Sequence, residues 1–333
     1  MKKIDIKIIE CIDRNETEEL LSQSEFIYTT SFWLDYLSQE LPGEPIVLKI
    51  ICQHKTIVFV GFIFKKYCFK ICGSPFEGWS TPYMGFVGIE DLNEIEKYET
   101  IKSTVKFLYK QKKCSYIQIC DWNIGIDFVK KFRLRYDIHS TYLVDISKSD
   151  EELFASFKTD VRTNCRNFLK RGAYLKVVEP SIEFSHDHYD QLVDVFDKQN
   201  LKSFYSKEKI ERIMIHFQKH PDYIFCENVF EPENNGSIAT GIFFGYKKRC
   251  YFFGAASYRN FQLLRPNEYV IWNAIKYWKT RGCTTFDMLG IRKYKEKFSP
   301  VIAERPIMYF SKIPFLHFVK KIAKIIILNK RKK

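Results

Sequence analysis

The second half of this 333-residue chain repeats the order of strand and helix patterns found in the first, a constraint on the fold stronger than any single motif. In the first half, residues 3–9 alternate as a strand does, and helical patterns follow at 15–24 and 30–39, the second opened by Ser31 as N-cap. Ile46 to Cys52, Thr56 to Phe64 and Tyr67 to Cys72 are β-branched and aromatic runs separated by turn-length gaps, which predicts an antiparallel meander. A Gly, Pro and aromatic-rich loop from Gly73 to Gly85 precedes a helical stretch at 91–112, a buried strand at Ser115 to Cys120, a short helix and a strand at Thr141 to Ile146. In the second half a helix at 150–171 leads to a strand at Ala173 to Val178 and to helices at 187–200 and 207–219. Strands at 222–230, 237–246 and 249–257, a helix at 267–281 and a strand at 284–288 complete it.

That order implies two similar α/β (α+β) domains, each a mixed sheet flanked by helices, antiparallel first and then gaining a parallel strand through a crossover. The length agrees, at roughly 150 residues per domain. The expected division is 1–147, 148–312 and a basic tail at 313–333. Crossovers open crevices at the carboxyl ends of strands, so each half has a place for a ligand.

With 17% aromatic residues the chain is no disordered or low-complexity sequence. Its formal charge of +13 favours anionic partners: nucleic acid, a phosphorylated substrate or a membrane face. Ten cysteines at scattered spacings form neither a disulfide framework nor metal knuckles, and Cys68 and Cys72 have no matching pair. His186 and His188 lie two apart, a spacing that does not converge on one ion along a helix, so they read as surface residues and no metal is expected. The amino terminus has no uninterrupted apolar stretch of signal-peptide type, and the apolar run Ile325 to Leu328 is too short to cross a bilayer. A cytoplasmic protein is expected.

Two segments carry chemistry. Phe157 to Gly172 is a helix with a glycine stop, and Arg162, Arg166 and Lys170 recur every four residues on one face. That spacing suits bidentate grip of phosphate or carboxylate, or simply a solvated basic face. Gly254 to Tyr269, passing through Tyr258 and the Arg265-Pro266-Asn267-Glu268 turn, is followed by a helix to Gly282, then Thr285 to Gly290 and Tyr294-Lys295-Glu296-Lys297-Phe298. Together these segments resemble the peptidoglycan interpeptide-bridge aminoacyltransferases (the Fem family) and their relatives in the wider acetyltransferase (GNAT) superfamily. The aromatic loop from Pro75 to Gly85 is similar to loops of polysaccharide-associated members.

The resemblance implies two tandem GNAT-like domains and an enzyme that transfers an acyl group to an amine of an anionic cell-envelope or surface-polysaccharide precursor. The acceptor would be a small or lipid-linked molecule. The donor would be acyl-CoA or, in the bridge-forming relatives, aminoacyl-tRNA. The usual Arg/Gln-x-x-Gly-x-Gly/Ala turn for coenzyme A pyrophosphate is replaced by Arg265-Pro266-Asn267-Glu268, which lacks an N–H and adds a negative charge.

In this reading Lys295 stabilises the oxyanion, with a surface lysine as the competing reading. Asp287 either accepts the amine proton, fixes a neighbouring lysine, or caps the following turn. Arg162 and Arg166 bind the acceptor, and Tyr258, Asn267 and Tyr269 line the substrate, although tyrosines are commonly core or rim. The segment 314–333 forms a basic amphipathic helix that lies on anionic lipid or docks on its own domain. A catalytically silent module that binds RNA or another anion is the reading from outside enzymology, although no stacking platform of aromatics supports it.

Overall fold

Strands form where β-branched and aromatic residues run together, and the chain packs them into two units, residues 1–140 with 304–323 and residues 141–303 with 324–333. The computed structural model describes residues 4–203, 205–232 and 236–329, so the first residue of the opening strand pattern and the Lys330 to Lys333 run lie outside the described residues.

In the first unit, β1 (Ile6–Glu10), β2 (Gly43–Cys52), β3 (Lys55–Lys66) and β4 (Phe69–Ser74) form the expected antiparallel meander. The helices α1 (Arg14–Ser22) and α2 (Ser31–Glu40) intervene between β1 and β2. Thr30, not Ser31, caps α2: its hydroxyl accepts from the Trp33 N–H at 3.2 Å, one residue earlier than the pattern placed it. The short β5 (Gly85–Val87) pairs with β3. A crossover through α3 (Glu94–Lys110) returns the chain to β6 (Tyr116–Cys120), which is parallel to β4 and buried along its whole length, as an inner parallel strand should be. The α3 start is fixed by a capping box between Asn93 and Glu96. After α4 (Ile126–Lys131) and the start of β7 (Tyr136–Asp145), the sheet is closed by β13 (Val301–Ser311), whose Ile307 to Ser311 pair antiparallel with Cys120 to Tyr116. The core gathers Leu48, Ile50, Phe59, Ile117 and Ile119 from the strands with Ile101 and Leu108 from α3. Each such fully buried side chain contributes about 1.5–3 kcal/mol.

The second unit repeats the plan. The helical pattern at 150–171 is two helices, α5 (Asp150–Ser156) and α6 (Thr159–Lys170), parted at Phe157 and Lys158, whose extended backbone sends the Phe157 ring into the core. Gly172, at φ 77°, stops α6, a conformation that costs glycine little. Next come β8 (Tyr174–Val178), α7 (Ile182–Asp197) and α8 (Lys207–Phe217), then β9 (Ile224–Phe230), β10 (Ala239–Tyr246) and β11 (Arg249–Ser257), and β8 to β11 form a second antiparallel meander. α9 (Pro266–Thr280) crosses over to β12 (Thr285–Asp287), which runs parallel to β11. Leu143 to Asp145 of β7 close this sheet against β12. The last element is α10 (Leu316–Asn329).

His188 is not a surface residue. It is buried on α7, its Nδ1 lies 2.8 Å from the Thr240 hydroxyl, and burial lowers its pKa to about 4. Thr240 in turn donates to Gln191 at 2.7 Å, so a neutral imidazole with its proton on Nδ1 completes a buried polar network. His186 is half-exposed and meets Glu211 at 2.7 Å.

Candidate active site

Parallel pairing of β11 with β12 ends at Tyr251 and Asp287, and the chain then turns sharply through Met288, Leu289 and Gly290. Leu289 and Gly290 both take positive φ, 49° and 96°, and the leucine there needs support that a glycine would not. Asp287 supplies it. Its Oδ1 accepts from the Leu289 N–H at 2.9 Å and from the Thr141 hydroxyl at 2.6 Å, while the Gly290 N–H donates to that same hydroxyl at 2.9 Å. Arg249 lies 4.0 Å from Oδ2. The carboxylate is fully buried and caps the turn that follows it.

Lys295 reaches back to this turn from a 3₁₀ segment at Lys293–Phe298. Its Nζ donates to the Met288 carbonyl and lies 3.4 Å from the carbonyls of Leu289 and Gly290, with the Phe252 ring 5.1 Å away. At 5% exposure it is no surface lysine. Burial lowers its pKa to about 8, against the opposing pull of Asp287 and with help from Arg292. Asp287 and Lys295 are therefore brought together around one turn.

The arginine helix begins beside that segment: the Lys158 N–H, at its start, donates to the Lys297 carbonyl at 2.9 Å, and the Phe157 and Phe298 rings meet at 5.3 Å. Arg162 is half-buried and holds the Thr159 hydroxyl at 3.0 Å, with its Nε unpaired; Arg166 is exposed over the Phe154 ring. Both guanidinium groups retain N–H donors for an anion.

Tyr269 stacks on Phe168 with centroids 4.4 Å apart, so it packs α9 against α6. Asn267 donates to the Ser257 hydroxyl at 3.4 Å and leaves its buried Oδ1 without a partner. Tyr258 lies instead toward α7, where Asp190, Asp187 and Asp194, after burial, raise its pKa. The structure thus groups Asp287 and Lys295, sets the arginine helix beside them, and places Tyr258 near a different helix.

The residues at the start of α9 do not fit a coenzyme A pyrophosphate. Pro266 lacks an N–H, and the Glu268 carboxylate sits in the first turn, buried and paired with Lys297 and Asn164. In the first unit the start of α3 is occupied by the side chains of Asn93 and Glu96. Among the described residues no group of three or more His, Cys, Asp or Glu side chains is placed to hold a metal ion.

One buried acid escaped the pattern reading. Glu227 on β9 is fully buried, accepts from the Asn273 side chain at 2.9 Å, and has no partner for its Oε1. The signal was a lone Glu within an otherwise buried strand run. Burial raises its pKa well above the ordinary carboxylate range. A carboxyl with a raised folded pKa carries no penalty below its unfolded pKa of about 4.3, and destabilises increasingly as pH rises above it. Glu227→Gln is expected to raise the neutral-pH Tm, by about 1.4 kcal/mol of stability for each pKa unit removed, and to leave stability near pH ~4 unchanged. Thermal melts across pH check this; parallel curves for the two proteins would count against it.

No family model and no curated protein matches this sequence. Solved structures do match. The chain superposes on FemX with a TM-score of 0.72 at 13% identity, over 91% of this chain and 97% of that one. It matches L-PGS from Bacillus licheniformis with a TM-score of 0.55 at 14% identity, over 96% and 98%. A tandem GNAT protein from the clavulanic acid biosynthesis pathway matches at 0.52 and 7% identity, over 92% and 98%. Identities this low speak to fold alone, and the chain shares the mixed α/β fold of FemX and of the tandem GNAT protein.

Proposed function

We propose that the chain is an N-acyltransferase of GNAT/Fem type that joins an acyl or aminoacyl group to an amine of an anionic cell-envelope or surface-polysaccharide precursor. The observation that carries this reading is the buried ammonium of Lys295, held at the end of the β11–β12 parallel pair by three backbone carbonyls. Attack of a neutral amine on the donor carbonyl forms the C–N bond and moves an electron pair onto oxygen. Collapse breaks the bond to the thiolate or alkoxide leaving group, which takes up the proton that the amine loses. A preorganised cation beside the oxyanion lowers the barrier to both steps. The two Lys295 contacts at 3.4 Å are long for N–H···O bonds and are the ones an oxyanion replaces. Asp287 acts as a positioning residue, and Arg162 and Arg166 bind the acceptor's anionic group.

An aminoacyl ester donor is the second reading, supported by the start of α9, where Pro266 and Glu268 oppose a pyrophosphate. Incubating the protein with labelled acetyl-CoA or charged tRNA and candidate amino-sugar nucleotides tests both. Transfer of label into an amide supports the reading and identifies the donor. Label retained by every donor with every acceptor counts against it.

Replacing Arg162 and Arg166 together by alanine is expected to raise the acceptor KM roughly tenfold or more, from the loss of charge-assisted hydrogen bonds, with little change in Tm. An unchanged KM returns the stripe to a solvated face.

A further inference from the structure

The helix α10 has two faces, and only one of them is used within the first unit. His317 stacks on Tyr309 with centroids 3.5 Å apart, its Nδ1 lies 2.9 Å from the Tyr116 hydroxyl, and its Nε2 lies 3.2 Å from Asp137. Lys320 donates to Gln118 at 2.5 Å, Lys321 meets Asp137 at 2.8 Å, and Leu316 is buried. The helix is fixed in rotation by these bonds, so its other face cannot turn inward without breaking them.

That other face carries Phe315, Phe318, Val319, Ile322, Ile325 and Ile326, spaced as one helical stripe. Phe318 is 65% exposed and Ile325 59%. The stripe extends about 17 Å along the axis at 1.5 Å per residue. A continuous exposed apolar stripe of this kind marks an interaction surface, unlike single scattered apolar residues.

Charge says what covers it. After Glu304 the chain has no Asp or Glu, while Lys312, Lys320, Lys321, Lys324, Lys330, Arg331, Lys332 and Lys333 all fall within its last 22 positions. Asp137 and Glu77 of the first unit answer Lys321 and Lys320, and the segment as a whole keeps a large excess of positive charge. An apolar stripe in a segment with this excess of positive charge is complementary to the headgroup and acyl boundary of an anionic bilayer. No described helix is long and apolar enough to cross one.

We propose that α10 lies in the plane of an anionic lipid surface, with its six-residue stripe among the acyl chains and the excess positive charge of the segment drawing it to anionic headgroups. The proposal does not depend on the transferase reading. Its test is flotation of the full chain with vesicles of phosphatidylglycerol and phosphatidylcholine, and with vesicles of phosphatidylcholine alone. The protein is expected to float with the anionic vesicles and to partition about tenfold or more weakly into the neutral ones, at about 1 kcal/mol per engaged Lys. Phe318→Ser with Ile322→Ser is expected to weaken partitioning at least about tenfold from lost apolar burial, with Tm unchanged because both side chains are exposed. Phe315→Ser, just before the helix, provides a second variant with the same expected direction.

Wild-type protein left unfloated by anionic vesicles would overturn the proposal, as would stripe variants that float as well as wild type. Sedimentation without lipid gives the remaining outcome. A wild-type dimer that the stripe variants dissolve would assign the stripe to a second copy of the chain and overturn the lipid proposal.

Discussion

Replacing Lys295 with alanine is expected to lower transfer turnover about a hundredfold or more, the usual cost of removing one group that stabilises an oxyanion. A structural role for Lys295 in holding its three carbonyls also predicts some loss, so the pH profile makes the distinction. Oxyanion stabilisation needs the protonated amine, and burial puts its pKa at about 8. Turnover is therefore expected to fall as pH rises through about 8. In Lys295→Arg the guanidinium stays charged throughout, and that falling limb should vanish even if the rate is lower. Stability moves the opposite way: a lysine whose folded pKa is depressed is protonated more readily in the unfolded chain, so the fold gains stability between about 8 and the unfolded value of about 10.4. Wild-type turnover in Lys295→Ala, or a limb unchanged in Lys295→Arg, would remove Lys295 from the chemistry.

Both meanders were legible because their strands are local runs of β-branched and aromatic residues, and the arginine helix because its Gly172 stop is explicit. The partners of the closing strands were not legible. Leu143 to Asp145 pair with Asp287 to Thr285, and Ile307 to Ser311 with Cys120 to Tyr116, across sequence separations that no periodicity encodes. The break at Phe157 and Lys158 carries neither proline nor glycine, and α6 lacks a side-chain cap, so nothing local announced two helices. His188 was misplaced, Glu227 missed and Lys295 left open for a shared reason. Ionisable residues are seldom fully buried, and the partners that make burial tolerable, Thr240, Asn273 and the Met288 carbonyl, are contributed by other elements or by main chain. The turn-capping reading of Asp287 stood among the alternatives because an Asp directly before a turn bonds its own backbone.

Asp287→Ala is expected to destabilise the second unit by about 3–5 kcal/mol, the cost of removing one member of a buried charged cluster. The loss has identifiable parts: the Leu289 N–H and the Thr141 hydroxyl lose their acceptor, Arg249 and Lys295 lose a nearby negative charge, and the positive φ of Leu289 loses its support. Asp287→Asn keeps an oxygen where Oδ1 accepts, so it should retain part of the turn while still removing the charge. Because Asp287 raises the Lys295 pKa, the charge-neutral variant should shift the falling limb of the pH profile below about 8. A general base would behave differently, since its replacement removes a rising limb at low pH and leaves the high-pH limb in place. Asp287→Asn with an unmoved high-pH limb and a lost low-pH limb would make the carboxylate a proton acceptor. A shifted high-pH limb with a lowered Tm identifies it as the residue that sets the charge and position of Lys295.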